Sequence, residues 1–218
     1  MLAVALPGNK EKAEGVSGKS ERLPVFQVRI HGRGGQGVVT AAELLAQAAF
    51  DEGRFAQAFP SFGSERTGAP VVSFCRIADE AIRVREPIMT PDAIIVQDET
   101  LLLGVDVFSG LNPSGYVLIN SQRPIADFGA ADFGGANRFV TVPATELALE
   151  HLGRPVPNAV LLGAFAGLTG VVTIGSVVDA IGKRFKGKLA AGNSAAATAA
   201  YEFVTSALGN QPREKTNA

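Results

Sequence analysis

Six residues early in the chain have the types and spacing for binding chemistry: Gly32, Arg33, Gly34, Gly35, Gln36 and Gly37. They follow a short apolar run from Val25 to Ile30 and precede a helical pattern rich in Ala and Leu that continues to Ala49. A strand, a glycine turn and a helix in that order open a βαβ unit, and the backbone N–H groups at such a helix start form a cradle for an anion. The spacing Gly32-x-Gly34-x-x-Gly37 also matches a dinucleotide fingerprint. That fingerprint needs an acidic residue ~20 positions on, closing the second strand, to hold a ribose. Here the second strand ends in Phe59-Pro60-Ser61-Phe62, and the nearest acid, Glu65, lies within a loop. A triphosphate-binding loop is excluded too, because no Lys-Ser or Lys-Thr follows the glycines. Two readings stay open: glycines that only let strand and helix pack closely, and a corner that touches an anion or cofactor. Arg33 favours the anion.

The segment Ser61 to Pro70 is the second candidate, rich in turn formers yet holding Ser64, Glu65 and Arg66 together. A surface salt bridge in a loop explains such a Glu-Arg pair, but loops beyond the carboxyl ends of strands are also where open α/β sheets bind ligands. The first βα turn and this loop are then expected on one edge of the sheet. Of the two histidines, His31 reads as a ring that closes the glycine turn rather than a proton shuttle, and His151 sits in a later helix. Cys75 lies mid-strand beside Phe74 and Ile77 and reads as a buried, inert thiol. Asp98 and Glu99 follow a strand, either as a carboxylate pair or as acids capping the next element. The basic run Lys183 to Lys188 reads as a solvated helix end, or as a face for a phosphate or an acidic partner. No set of residues amounts to a complete catalytic machine.

Composition narrows the classes further. The 218 residues carry 20 Lys and Arg against 21 Asp and Glu, so nothing draws the chain to nucleic acid or anionic lipid. A single cysteine and two histidines rule out a disulfide framework and a self-contained His/Cys metal centre, so any iron–sulfur cluster must sit elsewhere. The segment Met1 to Gly8 lacks the basic start of a signal peptide, and no apolar run approaches the ~20 residues of a membrane span. A cytoplasmic protein is the expectation.

The elements that must position these residues follow from periodicity. Residues 1 to about 23 lack an apolar period and read as a flexible arm. A helix from about Val38 to Phe50 places Ala41, Leu44, Leu45, Ala48 and Ala49 on one face and stops near Gly53. Phe55 to Phe59 and Val71 to Ile77 read as strands, and Ile82 to Val84 as a short edge strand. Ala93 to Val96, Tyr116 to Ile119 and Phe139 to Val142 are continuous apolar runs of the kind buried in parallel sheets. Helices are predicted over Thr145–Leu152, Ala159–Thr169, Ser176–Phe185 with Ser176 as N-cap, and Asn193–Leu208, with 210–218 as a frayed tail. The pattern predicts an α/β fold: a single Rossmann-like, open, mostly parallel sheet with flanking helices and a helical C-terminal third.

Taken together, His31-Gly-Arg-Gly-Gly-Gln-Gly37, Ser61-Phe-Gly-Ser-Glu-Arg-Thr-Gly-Ala-Pro70 before a strand, and Asp98-Glu99 after a later strand resemble the gamma subunit of 2-oxoacid:acceptor oxidoreductases, of the pyruvate:ferredoxin type. Asn158-Ala-Val-Leu-Leu-Gly163 and Gly192-Asn193 are similar to that family's helical region, and the resemblance runs from about Val25 to Leu208. It implies a subunit rather than a free-standing enzyme, inactive alone, in a complex with alpha-, beta- and delta-type chains. In such complexes thiamine diphosphate with Mg2+ and the Fe–S clusters belong to other subunits. A 2-oxoacid is oxidatively decarboxylated to acyl-CoA and CO2, and the electrons pass to ferredoxin or another acceptor. The gamma domain, here residues 24–209, packs on the alpha and beta parts and lines the approach of coenzyme A. Arg33, Gly34, Gly35, Gln36 and Gly37, with Ser64, Glu65 and Arg66, are then expected to border that cleft or the subunit contact. The competing expectations are a free-standing dinucleotide-binding oxidoreductase and a structural adaptor without ligand contact. The charged arm departs from the family pattern.

Overall fold

Strand β1 (Phe26–Arg33) runs through the centre of a six-stranded sheet, and helix α1 (Val38–Asp51) leaves it directly across the glycine turn. The structure, a computed structural model, describes residues 25–61, 67–128 and 138–209. The expected N-terminal arm, the tail at 210–218 and three of the candidate residues, Ser64, Glu65 and Arg66, lie outside these residues.

The other strands are β2 (Phe55–Pro60), β3 (Pro70–Ala78), β4 (Ala93–Val96), β5 (Tyr116–Asn120) and β6 (Phe139–Val142), in the order β2-β3-β1-β4-β5-β6. From β1 outward through β4, β5 and β6 every pairing is parallel, whereas β3 lies antiparallel between β1 and β2. The sheet is therefore mixed. After α1 the chain enters β2 in the same direction as β1, then reverses over 61–69 and inserts β3 into the gap, as only an antiparallel neighbour can be reached by so short a link.

Register explains the continuous apolar runs. Ile30 pairs with Ile95, Ile95 with Leu118 and Leu118 with Val140, a row on the face that meets the helices. Each such fully buried side chain contributes ~1.5–3 kcal/mol. The alternate residues Ile94, Val96, Val117, Ile119 and Phe139 form a second, smaller core with Leu101 and Val107 on the opposite face. That face is covered by irregular chain and two 3-10 turns (Glu99–Leu103 and Ile125–Phe128) instead of α-helix. Buried Arg29 pins this layer from below: its guanidinium donates to the carbonyls of Val107 (2.8 Å) and Ser109 (2.6 Å).

The helices α1, α2 (Ala144–Leu152), α3 (Asn158–Thr169), α4 (Ile174–Arg184) and α5 (Gly187–Gly209) all pack into the larger core. As its composition predicts, α3 is buried almost all round. Gly163 is the reason it can be: a Cβ there would stand 1.9 Å from the carbonyl oxygen of Ala197, so α3 and α5 cross backbone to backbone.

Three expectations about elements need correction. Ile82–Val84 is not a strand; the chain there is held by a side chain instead of a ladder, the Arg76 guanidinium donating to the carbonyls of Val84 and Glu86. The N-cap of α4 is Thr173, whose Oγ1 accepts from Ser176 N at 3.2 Å, while Ser176 Oγ donates to Glu52 at 2.6 Å and ties α4 to the end of α1. Helix α5 begins at Gly187, not Asn193, for Asn193 is a mid-helix residue whose Nδ2 donates to the Leu189 carbonyl.

Candidate functional site

The glycine corner begins later than its motif. Gly32 and Arg33 still belong to β1 and pair with Val71 and Pro70 of β3, so only Gly34 to Gly37 turn the chain. The glycines then divide by role. A Cβ on Gly32 would meet Val38 Cγ2 at 2.6 Å, so Gly32 serves close strand–helix packing. Gly37 is left-handed (φ 72°) at the N-cap of α1, and a Cβ there would also strike the Asn158 amide at 2.4 Å. Gly35 (φ 96°) has nothing within 4 Å of its Cβ position; it is demanded by the turn and faces open space.

Polar side chains lock the corner. Gln36 folds back, its Oε1 accepting from Arg33 N at 2.7 Å and its Nε2 donating to Asp98 Oδ2 at 3.0 Å. Arg33 gives Nε to Asp98 (3.1 Å), one terminal nitrogen to the Gly68 carbonyl (3.1 Å) and the other to Thr100 Oγ1 (2.7 Å). Its guanidinium is thereby committed to the chain itself. Asp98 also caps the following 3-10 turn, accepting from Thr100 N at 3.0 Å. Partial burial works against its ionisation, yet hydrogen bonds from Thr100 and Gln36 and the charge of Arg33 hold the carboxyl below the usual carboxylate range.

The second motif reaches the same corner. Gly34 N donates to the Ala69 carbonyl (2.9 Å) and Gly68 N to the Gly34 carbonyl (3.1 Å), so the turn and the end of the 61–70 loop share one edge of the sheet. The loop's Ser64, Glu65 and Arg66 fall outside the described residues.

The other single residues sort themselves by burial. His31 is buried within β1 rather than closing the turn; its Nε2 accepts from Arg29 Nε at 3.0 Å. Burial and the neighbouring Arg29 charge push its pKa down to about 4, which leaves a neutral ring. Cys75 is fully buried and its thiol is pushed up to about 12, as an inert core residue should be. Lys183 pairs with Asp51 at 2.6 Å. Among the described residues no group of three or more His, Cys, Asp or Glu side chains could hold a metal ion, and no helix is long and apolar enough to cross a membrane.

Two crevices flank the corner. One, about 350 Å³, opens at the ends of β4 and β5 and the start of α2, and is lined by Gln36, Gln97, Asp98, Asn120 and Thr145 among others. The other, about 210 Å³, contains Gly35, Gly37, Asn158, Arg154, Arg184 and Asn193. The chain leaves β1 towards one side of the sheet and β4 towards the other, so the corner sits at the switch point where open α/β sheets bind ligands. Gln97, Asn120, Thr145 and Asn158 are absent from the sequence-based candidates. The available signal was the polar residue that follows or closes each parallel strand, Gln97 after β4 and Asn120 in β5.

The same topology removes the dinucleotide reading. In a dinucleotide fold the ribose acid closes the second strand, the one that follows the first helix and lies next to β1. Here β3 stands between β1 and β2, which places the end of β2 two strand spacings, ~10 Å, from the corner.

Comparison with known proteins agrees. Residues 27–203 match the family model described as pyruvate ferredoxin/flavodoxin oxidoreductase. The chain is 51% identical to the pyruvate synthase subunit PorC of Methanothermobacter marburgensis, over 82% of this chain and 97% of that one. It is 46% identical to the pyruvate/ketoisovalerate oxidoreductases common subunit gamma of Pyrococcus furiosus, over 82% and 96%. The crystal structure of the pyruvate oxidoreductase subunit PORC of Thermotoga maritima superposes with a TM-score of 0.72 at 36% identity, covering 82% of this chain and 96% of that one. The chain belongs to the pyruvate ferredoxin/flavodoxin oxidoreductase family. Within it the chain is of the gamma, or PorC, type: a subunit of a multi-subunit 2-oxoacid oxidoreductase.

Proposed function

We propose that this gamma chain serves a thiamine diphosphate-dependent, CoA-acylating enzyme that oxidatively decarboxylates a 2-oxoacid, and that its glycine corner lines the path of coenzyme A. The observation that carries this is the locked corner at the switch point: the Arg33, Gln36 and Asp98 side chains are spent on holding it rigid, while Gly35 faces open space between two crevices. Such a surface presents backbone to a ligand or neighbouring chain and does no chemistry of its own. Ser64, Glu65 and Arg66 complete the rim on this reading. Thiamine diphosphate, Mg2+ and Fe–S clusters are carried by the alpha-, beta- and delta-type partners in the cytoplasm, and ferredoxin or another acceptor takes the electrons. Residues 24–209 form the functional domain, with the arm and tail outside it. The Pyrococcus furiosus relative is described as common to pyruvate and ketoisovalerate enzymes. That description supports placing the pocket for the 2-oxoacid side chain on another subunit.

Amide hydrogen exchange of the assembled complex tests the reading. Coenzyme A is expected to protect peptides spanning residues 33–38. Absence of protection there, with coenzyme A bound elsewhere in the complex, overturns it.

A further inference from the structure

Gln97 is 1% exposed, and neither its Oε1 nor its Nε2 has a hydrogen-bond partner among the described residues. An amide buried with both ends unpaired is a standing cost to the fold, and such groups await a ligand, a water or a function. The backbone of Gln97 is pinned on both sides: its N–H donates to the His31 carbonyl (2.8 Å) and its carbonyl accepts from Asn120 Nδ2 (2.9 Å). The side chain lies on the helix-facing side under Gly32, where a Cβ would come within 3.1 Å of its Oε1, and it lines the larger crevice beside the corner.

The lining says what kind of group suits this place. Asp98, Glu99 and Glu146 outnumber Arg123 around the crevice. At the start of α2 the Thr145 N–H is already taken, donating to Asn120 Oδ1 at 3.1 Å. The surplus of carboxylates disfavours phosphate. A neutral group that offers one donor and one acceptor side by side matches the amide at both ends.

We propose that Gln97 is a recognition residue for such a group, the edge of the aminopurine, on the coenzyme A that reaches the corner. The inference rests on the coenzyme A reading above. 3′,5′-ADP carries that edge, whereas the amides of pantetheine are secondary and trans, with N–H and C=O on opposite sides.

The test is calorimetric titration of the assembled complex with coenzyme A, pantetheine and 3′,5′-ADP, before and after Gln97→Met, which keeps the length of the side chain and removes its polar atoms. Gln97→Leu serves if that variant fails to assemble. Coenzyme A is expected to bind about tenfold more weakly, as the loss of a buried hydrogen-bonded pair implies, and of the fragments 3′,5′-ADP alone is expected to lose the same factor. The melting temperature without ligand is expected to hold or rise. Unchanged affinity for all three ligands, equal losses for both fragments, or a loss confined to pantetheine overturns the inference. So does a fall in ligand-free melting temperature with unchanged binding, which marks an amide that only holds water. If coenzyme A still protects residues 33–38 while affinity is unchanged, only the role of Gln97 falls; if protection is absent in the unaltered complex, both readings fall.

Discussion

Arg33 and Asp98 are 65 positions apart in sequence and meet with Nε 3.1 Å from Oδ2. The pair joins the end of β1 to the end of β4 across the point where the sheet changes direction. An exposed ion pair of this kind would count for little. This one is half-buried and shares its carboxylate with Gln36 Nε2, Thr100 N and Thr100 Oγ1, while Arg33 also donates to the Gly68 carbonyl, so the turn, the 3-10 segment and the 67–70 strand entry are all fixed by one pair.

Asp98→Ala should therefore cost more than a surface pair. It leaves the Gln36 amide and the Thr100 N–H without their acceptor, for a loss of about 1–3 kcal/mol. Chemical denaturation of the chain measures that loss, and exchange should quicken in residues 33–37 while the α3–α5 pair, remote from the change, keeps its protection. Asp98→Asn, which keeps one acceptor, should fall between the two.

Acid should weaken the fold in two windows. His31 is held at about 4 against an ordinary 6.5, so between those values the unfolded chain takes up a proton the folded chain refuses. Its contribution is whole above the unfolded pKa and is lost as pH falls towards 4, roughly 3 kcal/mol in all. Asp98 is also depressed, so its contribution is whole above the ordinary carboxylate range and lost only at lower pH. Denaturation at pH 7 and pH 5 separates the two: His31→Gln should remove most of the difference, and Asp98→Asn little of it.

Much of this was legible from periodicity and little of it from single residues. The runs Ala93–Val96, Tyr116–Ile119 and Phe139–Val142 are apolar on both faces because each has a core above and below, a property that sequence displays directly. The insertion of β3 between β1 and β2 is a matter of pairing between distant segments, and no local pattern records it. Gly32 reads as a turn former in sequence because its need is not conformational; it is the absence of a Cβ beside Val38, visible only once α1 is docked. The start of α5 escapes local pattern for the same reason, since Gly192 stands within the helix because a Cβ would lie 2.8 Å from the His151 carbonyl. Gln97 carries no mark in the sequence beyond its place after a strand, for its unpaired amide is a fact of packing.

Nicotinamide nucleotides should not bind the chain. With β3 occupying the place beside β1 that a dinucleotide fold gives to its second strand, the end of β2 is out of reach of the corner, and Asp98, which follows β4 on the other side of β1, is already held by Arg33, Gln36 and Thr100. Titration of NADH or NADPH into the isolated chain, followed by nucleotide fluorescence, should give no saturable enhancement up to millimolar concentration. A tight, saturable signal would return the corner to the dinucleotide class.

Two of the helical glycines, Gly163 and Gly182, should respond in opposite directions to the same substitution. Gly163→Ala would place a methyl 1.9 Å from the Ala197 carbonyl oxygen, and neither helix backbone can yield by that much without separating α3 from α5. Overpacking of this kind costs about 1–3 kcal/mol and more where backbone must move, so the variant should melt well below the parent or fail to accumulate in soluble form. Gly182 lies on the exposed side of α4 with nothing within 4 Å of its Cβ position, and Gly182→Ala only removes freedom from the unfolded chain. It should gain about 0.5–1 kcal/mol. Thermal melts of the two variants beside the parent decide the matter: if both lose stability alike, helix propensity has been misjudged at Gly182, and if both are neutral, α3 and α5 do not cross at Gly163.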